Sequence, residues 1–210
     1  MYAVKEIFYT LQGEGCQAGT PAVFCRFAGC NLWSGREQDR ERAQCTFCDT
    51  DFVGTDGVNG GKYLSEGSLP DKIASLWPSE EVNNRLVVFT GGEPLLQVDE
   101  SLLRAMHALG FRCAVETNGT IELPQGIDWV TISPKGVNRI RAKRANELKL
   151  VFPQLEAMPE QFIDFDADHF FLQPMDGPSR EENTRAAVAY CKANPRWRLS
   201  VQTHKYLGIP

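Results

Sequence analysis

Short apolar runs alternate with amphipathic stretches along most of the chain. "AVFCRFAG" (Ala22–Gly29) mixes apolar and aromatic residues and ends in glycine, as a strand entering a loop does. "RLVVFTGG" (Arg85–Gly92) is a short, β-branched apolar run of the kind buried on both faces of a parallel sheet. In "LLQVDESLLRAMHALG" (Leu95–Gly110) the apolar positions take helical spacing, and Gly110 stands where a helix would stop. Further strands are predicted over Phe111–Gly119, Asp128–Lys135, Asn146–Phe152, Asp168–Asp176 and Trp197–Lys205. A helix is predicted over Ser179–Pro195, with Ser179 as cap and Glu182 completing a capping box.

Alternation of this kind predicts βα units and a parallel sheet. The strands are too few for a complete eight-fold barrel. The expected fold is therefore α/β, a partial (open) parallel β/α barrel of about six strands, in a single domain over residues 1–210. Polar residues collect at the C-terminal ends of these strands, the edge where parallel sheets and barrels bind ligands. The series runs through Arg26, Thr90-Gly91-Gly92-Glu93, Glu116-Thr117-Asn118, Ser133-Pro134-Lys135, Gln173-Pro174-Met175-Asp176 and Gln202-Thr203-His204.

With a net charge of −5 and a pI near 5.3, the chain has no basic face that would make direct nucleic-acid binding its main business. It has no visible leader and no apolar stretch of bilayer length, so a cytoplasmic protein without membrane attachment is expected. Seven cysteines then need explaining, since a reducing compartment disfavours structural disulfides. Cys16, Cys25, Cys113 and Cys191 are scattered and read as small, half-buried hydrophobes. Cys45 and Cys48 form a close pair, and Cys30 lies behind them across the charge-dense insert "SGREQDRERAQ" (Ser34–Gln44). Structural zinc prefers four protein ligands, usually as two pairs. Three soft thiolates can instead hold a 4Fe–4S cluster with one iron left open for a chelating cofactor. A zinc-stabilised binding module is the distant alternative.

These cysteines, with Phe47 before the last, resemble the signature of the radical S-adenosylmethionine enzymes, although the first gap is fourteen residues where the family usually has three. "FTGGEP" (Phe89–Pro94) resembles the segment with which that family meets the methionine amino group. Ser133-Pro134-Lys135 and Gln173 to Asp176 resemble the segments that complete the adenosine and carboxylate site. Within the superfamily, "FYTLQGEG" (Phe8–Gly15), "CDT" and the terminal "QTHKYLG" resemble the 7-carboxy-7-deazaguanine synthase family, from about residue 5 to the C-terminus.

The resemblance implies ring contraction of 6-carboxy-5,6,7,8-tetrahydropterin with loss of ammonia, using S-adenosylmethionine, a 4Fe–4S cluster and magnesium. It also implies an electron donor such as a flavodoxin and, by analogy, a homodimer. Cys30, Cys45 and Cys48 would hold the cluster and Thr50 the magnesium, with Asp49 beside it. Glu14 can accept the paired N–H and amine edge of a pterin in bidentate fashion, with Gln12 on the adjacent edge. Gly13 and Gly15 would let that loop lie flat against the ring, and Leu11 and Thr90 complete the substrate set. Arg26 can pair with the substrate carboxylate. His204 and Lys205 are expected at the end of the last strand, His204 and Glu116 as catalytic candidates, with Pro210 close enough for its carboxylate to reach the site. Phe47, Gly91, Gly92, Glu93 and Asn118 would meet the cofactor. A radical-generating activase acting on a partner's glycine is the nearer alternative function, and the "LQGEG" loop with Arg26 argues against it.

Overall fold

The computed structural model describes residues 1–65, 67–78 and 80–210. Its strands are β1 (Tyr2–Leu11), β2 (Pro21–Phe27), β3 (Gly61–Tyr63), β4 (Leu86–Gly91), β5 (Arg112–Thr117), β6 (Trp129–Ile132), β7 (Arg144–Phe152), β8 (Asp166–Pro174) and β9 (Trp197–Leu199). The α-helices are α1 (Ser68–Ser75), α2 (Glu100–Ala108), α3 (Arg180–Ala193) and α4 (Thr203–Leu207). All nine strands join one sheet in the order β3-β1-β2-β4-β5-β6-β7-β8-β9. From β2 to β9 every pairing is parallel, whereas β1 runs antiparallel to both β2 and β3. The sheet is thus the expected open, mostly parallel one, lengthened on one side by an antiparallel pair that the apolar runs did not announce.

Each strand divides its side chains between two faces, and this division builds both the core and the cleft. On one face Ile7, Phe27, Phe89 and Ile132 pack with Leu102 and Met106 of α2 and with Phe111. Under α3 a second cluster gathers Leu148, Leu150, Phe170, Leu172, Ala187 and Trp197. β4 is buried on both faces, as its apolar run predicts: Val87 and Phe89 join the first cluster, Leu86 and Val88 a smaller one with Ala22 and Ala114.

Helix alternation is less regular than the pattern suggested. Residues 118–128 and 133–143, which link β5 to β6 and β6 to β7, contain no α-helix, and prolines and glycines punctuate both links. α2 starts only at Glu100, because Pro94–Leu96 forms a separate 3-10 turn; Asp99 caps it through the Leu102 amide (2.9 Å), and Gly110 ends the turn with φ +77°. The capping box expected at Ser179 is absent. Ser179 takes near-helical backbone angles (φ −95°, ψ 14°), so its hydroxyl makes no cap bond. β9 also stops at Leu199, earlier than expected, and Thr203, His204 and Lys205 lie on the short α4 rather than on a strand.

Gly91 shows how tightly the strand ends are packed. It adopts φ +146°, and a Cβ there would stand 2.4 Å from the Phe27 carbonyl oxygen. Gly91→Ala should therefore destabilise the fold by more than about 1 kcal/mol, measured as a lower urea midpoint with an unchanged slope.

Candidate active site

The loop that leaves β2 carries Cys30, and its continuation beyond the charged insert carries Cys45 and Cys48. Inside the insert, Glu37–Arg42 winds into a 3-10 turn whose Arg40 lies over the Trp33 ring, 4.1 Å from its centroid. Arg40 Nη1 donates to the carbonyls of Thr46 (2.9 Å) and Cys48 (3.1 Å), while Trp33 meets Phe52 edge-on. The insert is therefore a strut for the cysteine loop as well as a solvated surface. Cys30, Cys45 and Cys48 lie close enough to sense one another's charge, and burial raises the thiol pKa of Cys30 and Cys45. Three soft thiols form a donor set that fits iron–sulfur ligation.

The "TGGEP" segment fastens this corner to the sheet. A Cβ on Gly92 would lie 2.2 Å from the Gly29 carbonyl oxygen and 2.7 Å from Cys30 Cβ, and the Glu93 amide donates to that same carbonyl (2.9 Å). The fully buried Glu93 carboxylate accepts from the Leu95 amide (3.0 Å), the Thr117 hydroxyl (2.7 Å) and the Asn118 amide (2.8 Å). Gly91 and Gly92 thus permit close approach of the Cys30 loop itself, and the Glu93 side chain ties the ends of β4 and β5 together while its amide holds the loop after β2. Of the expected cofactor residues, Phe47, Gly91, Gly92, Asn118, Ser133, Lys135 and Gln173 through Asp176 line the cleft. Glu93 and Pro134 do not; the Pro134 carbonyl accepts from Gln154 (3.2 Å). Cys48 and Thr50 also line it, whereas Cys30 and Cys45 do not.

The cleft measures about 410 Å³ and occupies the concave side of the sheet, a size suited to small molecules. Its floor is the link between β1 and β2, which crosses to the far side of the sheet. Gln12 donates to Glu116 (2.9 Å), Glu14 pairs with Lys149, and the Cys16 amide donates to Glu147 (2.8 Å). From the other side, α4 clamps the loop, with the Thr203 amide (3.0 Å) and hydroxyl (2.8 Å) both donating to the Gly13 carbonyl. A Cβ on Gly13 would collide with the His204 ring at 2.3 Å, and one on Gly15 with the Glu147 carboxylate at 2.3 Å. These two glycines make room for the protein's own side chains, and Gly13 also lines the cleft.

Leu11, Gln12, Gly13, Glu14, Arg26, Thr90, Glu116, His204 and Pro210 all reach the same cleft. Arg26 is held by Glu6 at 2.8 Å across the β1–β2 pair. The stacked rings of Phe8 and Phe24, with centroids 5.7 Å apart, lie beside them. The Thr10 hydroxyl donates to the Pro210 oxygen at 2.9 Å, which fixes Pro210 at the cleft. Lys205 pairs with Asp49 (2.9 Å) and Asp176, drawing the cysteine loop, β8 and α4 together.

Comparison with known proteins gives the same picture along the whole chain. A 7-carboxy-7-deazaguanine synthase from Bordetella pertussis is 63% identical over 209 residues, covering 100% of this chain and 99% of that protein. One from Caulobacter vibrioides is 62% identical with the same coverage. The chain belongs to the 7-carboxy-7-deazaguanine synthase family. The crystal structure of QueE from Escherichia coli superposes with a TM-score of 0.72 at 29% identity, covering 96% of this chain and 93% of that one. No family model matches the chain.

Within this family member, the residue that sequence reasoning passed over is Lys149. Lys149 is only 4% exposed, and its ammonium sits between Glu14 and Glu116, the latter at 3.5 Å. Burial alone would lower its pKa, but Glu116, Glu14 and Glu147 hold it well above the ordinary value. Burial likewise would raise the Glu14 carboxyl, yet Lys149, with Gln202 and His204, keeps it below the usual carboxylate range. Burial pushes Glu147 up and Lys135 down. The clue lay in strand alternation: in "NELKLVF", Leu148, Leu150 and Phe152 face α3, so Glu147, Lys149 and Val151 face the other way.

At the opposite edge of the parallel strands, His107, Cys113 and Asp128 also gather. There Asp128 Oδ2 accepts from the Cys113 amide (2.7 Å) and meets His107 Nε2 at 2.8 Å, an arrangement that anchors the α2–β5 turn.

The Lys149 environment has a measurable consequence. Lys149→Met leaves two carboxylates facing a buried site without their cation and should cost about 3–5 kcal/mol in urea unfolding. Adding Glu14→Gln should restore part of that loss. Because the folded Glu14 pKa is depressed, its contribution is present above the ordinary carboxylate range and is lost only as pH falls through the lowered value. The difference between wild type and the double variant should therefore shrink in acid.

Proposed function

We infer that this chain makes 7-carboxy-7-deazaguanine from 6-carboxy-5,6,7,8-tetrahydropterin, with release of ammonia, as a radical S-adenosylmethionine lyase of deazapurine and queuosine biosynthesis. The observation that carries this reading is one cleft that joins Cys48 of the three-cysteine corner to a buried, charge-balanced polar floor, in a chain related over its full length to such synthases. When bound, the cluster with S-adenosylmethionine supplies a 5′-deoxyadenosyl radical. The protein's share is binding, orientation and exclusion of competing reactions.

Cys30, Cys45 and Cys48 are the cluster ligands in this proposal. The backbone from Thr90 to Gly92, with Phe47, Asn118, Ser133, Lys135 and Gln173 through Asp176, receives the cofactor. Glu14 is ionised over the neutral range and presents a carboxylate to the N–H and amine edge of the pterin. Gln12 is already oriented, its amide donating to Glu116 and its oxygen accepting from the Glu14 amide at 3.0 Å. Arg26, held by Glu6, and Pro210 lie where the substrate's polar substituents would be received. Glu116 and His204 are the groups placed to hold or move a proton, and Lys149 sets the charge around Glu116. Thr50 suits magnesium, which takes few hard protein oxygens and completes its shell with water and substrate. Among the described residues, no helix is long and apolar enough to cross a membrane. The small polar cleft favours a heterocycle over the glycine of a partner protein.

Anaerobically purified protein should contain about four irons and four sulfides per chain, with a visible spectrum that bleaches on reduction. Cys30→Ala, Cys45→Ala or Cys48→Ala should each lose that absorbance together with pterin turnover. One zinc per chain and no sulfide would overturn the reading.

A further inference from the structure

Every acid between Asp128 and Glu147 is missing, while five cations occupy the interval: Lys135, Arg139, Arg141, Lys143 and Arg144. This is unusual in a chain whose net charge is −5. Lys135 turns into the cleft, and Arg144 pairs with Asp168 at 2.6 Å. Arg139, Arg141 and Lys143 are exposed, and among the described residues their side chains make no ion pair or hydrogen bond. Val137, 81% exposed, stands at the start of the same loop.

The loop flanks both parts of the cysteine corner. At one end a Cβ on Gly136 would lie 3.6 Å from the Gln44 carbonyl oxygen, next to Cys45, and the Lys135 ammonium stands 5.9 Å from the Phe47 ring. At the other end the Arg141 amide donates to the Gly119 carbonyl (2.8 Å). The adjacent Asn118 and Thr120 bond to Asn31, at 3.0 and 2.8 Å, beside Cys30. The neighbouring insert does not cancel this charge, because its Arg36, Arg40 and Arg42 are matched by Glu37, Asp39 and Glu41.

We propose that the loop between β6 and β7 is the docking surface for an acidic protein electron donor. The inference rests on the radical reading of the three-thiol corner. The donor loses one electron and the cluster gains it, and no bond forms or breaks in the transfer. Unpaired cations around an exposed apolar residue suit a transient redox partner, which needs fast, steered association rather than tight binding. Three free cations within five positions of one loop, on an acidic chain, favour such a partner over RNA, whose binding gains strength from many phosphate contacts.

The test uses anaerobically purified holoprotein, reduced flavodoxin as an acidic donor, and the triple variant R139E/R141E/K143E. Stopped-flow bleaching of the wild-type cluster by flavodoxin should slow as salt rises. In the variant at low salt it should be at least about tenfold slower. Bleaching by photoreduced deazaflavin should be the same for both proteins, and the variant should bind oxidised flavodoxin more weakly. An unchanged flavodoxin rate in the variant would overturn the proposal. So would an equal loss with deazaflavin, or tRNA binding that the variant abolishes while flavodoxin reduction persists. Lack of iron–sulfur absorbance in the wild type would overturn the radical reading and the docking proposal with it, and the spectrum reveals that failure before any donor is added.

Discussion

A buried ammonium among carboxylates organises the concave side of this sheet. Lys149 can remain charged at 4% exposure only because Glu14, Glu116 and Glu147 surround it. Glu14 reaches it because the link between β1 and β2 crosses the cleft instead of turning tightly back. That link in turn closes the floor of an otherwise open sheet and positions Gln12, while α4 clamps it through the Gly13 carbonyl. Burying one cation thus draws residues from both ends of the chain to β5 and β7. It also leaves a polar, partly desolvated surface, where electrostatic interactions with a flat, charged substrate are stronger than in water.

Glu93 plays the corresponding part at the rim. Its carboxylate fastens the end of β5 to the end of β4, and its amide holds the loop that follows β2. Gly91 and Gly92 are required because that loop passes within contact distance of their backbone. The cysteine corner is therefore fixed from two directions, by Glu93 on the sheet side and by Arg40 on the solvent side. The long gap between Cys30 and Cys45 supplies this second support: the charge-dense insert folds a 3-10 turn that sends a guanidinium onto Trp33 and the Thr46 and Cys48 carbonyls.

The comparison between pattern and structure is instructive at particular residues. The apolar run of β4 announced a doubly buried strand, and the strand ends with clustered polar residues did converge on one cleft. β1 was passed over because "YAVKEIFYTL" mixes its faces, with Glu6 and Phe8 turned to the cleft and Ile7 to the core. His204 was expected on a strand because "WRLSVQTHK" alternates convincingly. The chain instead leaves the sheet after Leu199 and winds into α4, where contacts with Gly13 outweigh β propensity.

By itself, the sequence determined the open parallel sheet, the three-thiol corner and the series of polar strand ends. Each follows from local periodicity or from the chemistry of a residue type at a fixed spacing. Only the tertiary structure decided that Glu93 is a bracket rather than a cleft residue, that Gly13 and Gly15 accommodate His204 and Glu147, and that Lys149 is the cation around which the floor is built. The physical reason is common to all three. Each depends on which groups meet across the sheet in a desolvated space, and such meetings are set by the packing of residues as far apart as Glu14 and Lys149.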